Sequence, residues 1–160
     1  MVQIPRELAE AHLRTSCKKG DVLYWEFFEG HEQDKNSYFV LLTSCINGRF
    51  LAVRGTKRVE LYTTQNAKRV SHDTLLIKSG ETAIFPKDTI LDFTWMRWLT
   101  LSELAKLLGA GVSQKGTLPA NIIGRIDTVV EGAITISSRY KALILKDEQN
   151  PDEDAARVSS

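Results

Sequence analysis

The chain has 160 residues, 42% hydrophobic and 26% charged, with a formal net charge of +1. These are near ordinary globular values, so one domain with a core of its own is expected. No apolar run approaches the roughly 18 residues of a membrane helix, and the stretch 1–20 carries charges throughout with no apolar centre. Neither a membrane span nor a secretory signal is therefore expected, and the location implied is cytoplasmic.

In chain order, residues 4–15, IPRELAEAHLRT, have the spacing of a short amphipathic helix with Pro5 in its first turn. In the strand that follows, Val22, Tyr24, Glu26 and Phe28 form one alternating set and Leu23, Trp25 and Phe27 the other. Both sets are largely apolar, as in a strand covered on both sides or curled into a barrel. The polar stretch holding Gly30, His31, Glu32 and Gln33 separates it from a second strand, Tyr38–Ser44. Asn47-Gly48 is the dipeptide of a tight type I′ hairpin, so the next strand, Arg49–Arg54, should pair antiparallel with the second.

Residues 58–63 add another alternating segment, and residues 64–73 read as a polar loop. Residues 74–86 suggest two short strands around Ser79-Gly80, closed by Pro86, and residues 88–96 a last β segment. Thr100 with Glu103 three residues on is a capping box for a helix over 100–108. The stretch 109–116, GAGVSQKG, reads as a flexible link. Ile122, Ile123, Ile126, Val129, Val130, Ala133 and Ile134 then recur at helical spacing behind Pro119. The fold class expected is mainly β with appended helices, a small barrel flanked by a short N-terminal and an amphipathic C-terminal helix. The domain would span 1–145, with 146–160 a disordered acidic tail.

Charge is unevenly spread. Residues 146–160 hold two basic and five acidic residues, whereas residues 49–69 hold Arg49, Arg54, Lys57, Arg58, Lys68 and Arg69 against Glu60 alone. A solvated face and a surface for a phosphate backbone are both open readings of this basic stretch. Cys17 and Cys45 form no CxxC or Cys/His grouping, so no metal site and no cofactor is expected. Walker, Rossmann, HExxH and GxSxG signatures are absent.

Gly20-Asp21-Val22, the Gly30–Gln33 stretch and the apolar strand Phe39–Ser44 together resemble the opening of the MazF/PemK family of toxin endoribonucleases. Residues 85–109, with Asp92 on a strand leading into a helix, and residues 116–134 resemble its later segments. The resemblance implies an SH3-like barrel, a homodimer, and cleavage of single-stranded RNA without metal. Attack by the substrate's own 2′-hydroxyl then needs a base, an acid and cations for the phosphorane charge, and no protein nucleophile. It also implies an antitoxin protein as partner.

Carried over by position, the family's hydroxyl after the third strand falls on Thr56, and Arg54 precedes it by two. His31 would handle a proton. Arg49, Lys57, Arg58, Lys68 and Arg69 would grip RNA. The arginine that opens the family's second strand falls on Ser37, and Ile90 stands where some members carry a second arginine; Arg97 lies nearby. Bland readings stand beside these: His31 and Glu32 as solvated loop residues, Thr56 as a turn hydroxyl capping a backbone N–H, Asp92 as a structural hydrogen-bonding group. Trp25 reads as core, while Trp95 and Trp98 are open between core, dimer interface and base platform. The expectation is thus a MazF/PemK-like endoribonuclease. The alternatives are a non-catalytic nucleic-acid- or partner-binding module on the same barrel, and a CcdB-like poison of a protein such as gyrase.

Overall fold

The computed structural model describes residues 5–26, 36–59, 62 and 73–146. Its elements in chain order are α1 (Arg6–Ser16), β1 (Asp21–Glu26), β2 (Asn36–Leu41), β3 (Arg49–Thr56), β4 (Thr74–Ile77) and β5 (Thr89–Thr100). They continue with α2 (Leu101–Leu107), β6 (Val112–Thr117), α3 (Ala120–Gly132) and α4 (Ser138–Leu145). The six strands form one antiparallel sheet in the order β4-β5-β3-β2-β1-β6. Among the described residues the sheet is not closed, and β4 and β6 are its edges. No helix among the described residues is long and apolar enough to cross a membrane.

Both faces of the sheet are covered, which accounts for the doubly apolar pattern of β1. Val22, Val40, Leu51, Val53, Leu91 and Phe93 point to one side and pack under α3 and α4 through Ile122, Ile126, Val130 and Ile144. Leu23, Trp25, Phe39, Leu41, Phe50, Ala52 and Leu99 point to the other, under Ala9 and Leu13 of α1 and Leu101, Leu104 and Ala105 of α2. Phe39 and Phe50 are fully buried there, and truncating either to alanine would cost about 3–5 kcal/mol.

Local signals explain the turns. Asn47 (φ 50°) and Gly48 (φ 78°) adopt the left-handed pair of a type I′ turn, and β2 and β3 pair antiparallel as expected. Thr100 caps α2: its Oγ1 accepts from the Glu103 N–H at 3.1 Å and donates to Glu103 Oε2 at 2.9 Å. Gly20 has φ 92°, a conformation that favours glycine, and a Cβ there would stand 2.5 Å from Ile123 Cδ1 of α3, which would have to shift.

Three expectations are corrected. The stretch 109–116 is no flexible link. Residues 112–117 form β6, which pairs with β1 from Asp21↔Thr117 to Trp25↔Val112; its outward residues are polar because it is an edge. The second strand expected after Ser79-Gly80 does not form: residues 81–87 follow bends, with Phe85 packed edge-on against Tyr38 at 5.1 Å. Arg58 and Val59 belong to a turn after β3 rather than to a strand. Most of the segment 58–63 beyond them, and residues 147–160 of the expected tail, lie outside the described residues.

Candidate functional site

The sheet register decides which expected site residues meet. Arg54 pairs with Phe39 and Gly55 with Tyr38, so Thr56 stands beside Ser37 at the end of β3. Alternation puts Ser37, Arg54 and Thr56 on the face that carries Phe39 and Ala52, away from α3 and α4. The strand ends from which residues 27–35 and 57–72 depart lie at this same end of the sheet. Arg49 lies at the other end of β3, seven residues from Thr56, or roughly 23 Å at about 3.3 Å per residue. Its guanidinium sits 4.1 Å above the Trp98 ring, and the Trp98 indole donates to the Tyr140 hydroxyl at 3.3 Å. Arg49 is therefore not brought together with Arg54 and Thr56. His31, Lys68 and Arg69 lie outside the described residues.

The Thr56 hydroxyl accepts a hydrogen bond from the Arg58 N–H at 3.1 Å, the turn-capping arrangement of a strand-end threonine. Lys57 and Arg58 are exposed, with Lys57 Nζ 5.9 Å from the Tyr38 ring. Ser37, in the position matched to the family arginine, is 2% exposed, and its Oγ is buried with no hydrogen-bond partner among the described residues. Tyr38 beside it is pushed to higher pKa by burial and then by the neighbouring Tyr24.

β5 carries a bulge next to Arg54. Val53 pairs with Met96 and Gly55 with Leu91, so the single residue Arg54 faces four, Asp92 to Trp95. Leu91, Phe93 and Met96 belong to the α3/α4 side, whereas Thr94 and Trp95, the successive residues between Phe93 and Met96, are both exposed. The bulge is fastened by Asp92, a buried carboxylate that accepts from the Tyr62 hydroxyl (2.8 Å), the Thr94 N–H (3.0 Å) and the Thr94 hydroxyl (2.5 Å). Asp92 thus has the structural role read as its plain alternative. Arg97, paired with Ala52, falls on the same face two positions along from Arg54 and is half-buried. Trp25 is core at 8% exposure, whereas Trp95 is 64% exposed. Sequence reasoning had no signal for the bulge, because it exists only in the pairing of β3 with β5.

Away from this end, a groove of about 520 Å³ runs between α1 and the β6 edge, lined by Leu8, Ala9, His12, Leu108, Val112 and Gln114. His12 Nε2 and Gln114 Oε1 are 3.1 Å apart, and the Gln114 amide donates to Ser16 Oγ and Cys17 Sγ. Burial pushes the Cys17 thiol up in pKa, against the lowering hydrogen bonds from Gln114 and Ser16. Three strand steps separate this groove from Thr56. No group of three or more His, Cys, Asp and Glu side chains among the described residues could hold a metal ion.

Compared with known proteins, the chain matches no family model and no curated sequence.

Proposed function

We propose that this protein binds single-stranded RNA at the β3 end of the sheet, as a toxin of the MazF/PemK kind, and cleaves it through the RNA's own 2′-hydroxyl. The observation that carries the reading is the register that sets Arg54, Thr56 and Arg97 on one face, with exposed Lys57 and Arg58 just beyond. Cations and a hydroxyl in that arrangement suit a phosphodiester and the charge that builds on its oxygens during attack. The 2′-hydroxyl would give its proton to a base as its oxygen bonds to the adjacent phosphorus, the bond from phosphorus to the 5′-oxygen would break, and the leaving oxygen would take a proton from an acid. His31 is the group assigned to one of these two proton transfers. The SH3-like barrel reading is supported by Ile84, which packs toward Gly116 and so links the β4–β5 connection to the opposite edge strand. A homodimer, an antitoxin partner and a cytoplasmic location go with this reading.

Binding without cleavage is the second reading, on the same surface. It is favoured by Ser37, buried where the family pattern has an arginine, and by the Thr56 hydroxyl already engaged to Arg58. Incubating purified protein with single-stranded RNA in EDTA separates the two. Fragments ending in 2′,3′-cyclic phosphate are expected from cleavage. RNA that is bound but stays intact at stoichiometric protein leaves the second reading, and RNA neither bound nor cut overturns both.

A further inference from the structure

We infer that the Trp95 indole is a stacking platform for one unpaired base of the RNA strand; this rests on the RNA reading above and names a contact for it. Tryptophan at 64% exposure is costly to leave in water, since its ring is among the largest apolar side chains. Trp98, three residues on, is packed between Arg49 and Tyr140, and Trp25 lies in the core with Phe39. Trp95 alone of the three stands out from the sheet.

Its exposure is built rather than incidental. The bulge leaves Thr94 and Trp95 exposed in succession, and the Asp92 carboxylate fixes it through Tyr62 and Thr94. Trp95 precedes Met96, the partner of Val53, so its backbone runs beside that of Arg54, roughly 5–8 Å away across the ladder. The same face carries Thr56 and Arg97, and Lys57 and Arg58 follow at the strand end. An aromatic face beside a row of cations is the pairing that holds single strands: the cations follow the phosphates while the ring accepts any base. A protein partner would need apolar neighbours around the ring. Thr94 and the basic residues supply the complement of a polyanion instead.

The test uses the full chain and a fluorescein-labelled 2′-O-methyl RNA oligonucleotide, which lacks the attacking hydroxyl and so reports binding alone. Wild type should bind with quenching of tryptophan emission. Trp95→Ala should weaken binding about 5- to 100-fold and abolish most of the quench, while Trp95→Phe stays within about 3-fold of wild type. The slope of log affinity against log salt should be unchanged in Trp95→Ala, because stacking neutralises no phosphate, and should fall in Lys57→Ala. Unfolding midpoints of the Trp95 variants check that the fold is intact. If wild type binds and Trp95→Ala binds equally well, the platform is overturned and the RNA reading survives. If Trp95→Ala leaves RNA affinity unchanged but turns a dimer into a monomer, the ring is a dimer contact and the platform is again overturned. Absence of binding by wild type overturns the RNA reading itself.

Discussion

The hydroxyl of Thr56 receives the backbone N–H of Arg58, 3.1 Å away, so the residue matched to a phosphate-binding position is also the cap of the turn after β3. The two roles separate by substitution. Thr56→Ala should cost about 1 kcal/mol of stability, the worth of one hydrogen bond, and Thr56→Ser should restore it. If the hydroxyl also serves cleavage, cyclic-phosphate product should disappear in Thr56→Ala and return in Thr56→Ser. Product undiminished in Thr56→Ala would remove the hydroxyl from the chemistry and leave it the cap alone.

Ser37 offers a test of opposite sign. Its hydroxyl is buried and has no partner among the described residues, so Ser37→Ala removes a desolvated polar group and should leave stability unchanged or raise it, by up to about 1 kcal/mol. Ser37→Arg, which restores the residue of the family pattern, buries a charge at a 2% exposed position and should cost about 3 kcal/mol or more. Urea unfolding midpoints read both. A tolerated arginine would mean that this position can open to solvent.

Lys19 joins the turn before β1 to both C-terminal helices. Its ammonium donates to Asp127 Oδ1 at 2.7 Å and to the Ile144 carbonyl at 2.8 Å, with only 9% of its side chain exposed. Asp127→Ala would leave that charge without its counter-ion and should cost about 2–4 kcal/mol, whereas Lys19→Met, which keeps the packing, should cost less. Equal losses in thermal unfolding would show that the pair acts only as packing.

Glu81 ties stability to acid pH. Its carboxylate accepts the Lys78 N–H at 2.6 Å and, secondarily, pairs with Arg125 at 2.6 Å, which holds its pKa below the usual value of 4.5. A folded pKa below the unfolded one means stabilisation present above about pH 4.5 and lost as pH falls through the lower folded value. Glu81→Gln should therefore flatten the fall of the melting temperature below pH 5 while changing little of its shape between pH 6 and 8. An acid limb identical to that of wild type would contradict this.

Arg49 bears on where RNA lies. It stacks on Trp98 at the end of β3 opposite Thr56. Arg49→Ala should cost about 0.5–1 kcal/mol of stability and leave affinity for the 2′-O-methyl oligonucleotide within about 2-fold, in contrast to Lys57→Ala. A large loss of affinity in Arg49→Ala would extend the RNA path along the whole strand.

What the sequence disclosed followed from local chemistry. Asn47-Gly48 and the Thr100/Glu103 box act within four residues, and each formed where its pattern stood. The sequence carried no signal for β6 because none of Ser113 to Thr117 is buried and only Val112 is; edge strands need no apolar alternation. The doubly apolar β1 fits a two-sided sheet and a barrel equally well, and only the placement of α1 and α2 opposite α3 and α4 showed both faces covered. For the site, position alone suggested Arg54 and Thr56. Their meeting with Ser37, Arg97 and Trp95 depends on cross-strand register and on the β5 bulge, neither of which is written in any contiguous stretch.

β1 is flanked by two strands of very different sequence distance. Trp25 reaches Ser37 across a connection of a dozen residues, but Asp21 meets Thr117 only after 96 residues of chain. Loop-closure entropy favours the β1–β2–β3 hairpins as the early assembly and leaves β6 to arrive late, with α3 following it directly. Pulse-labelled hydrogen exchange during refolding should protect Val40 and Val53 before Gln114. Until β6 docks, the side of β1 that it will cover presents open backbone donors and acceptors, a window in which another chain could pair there first.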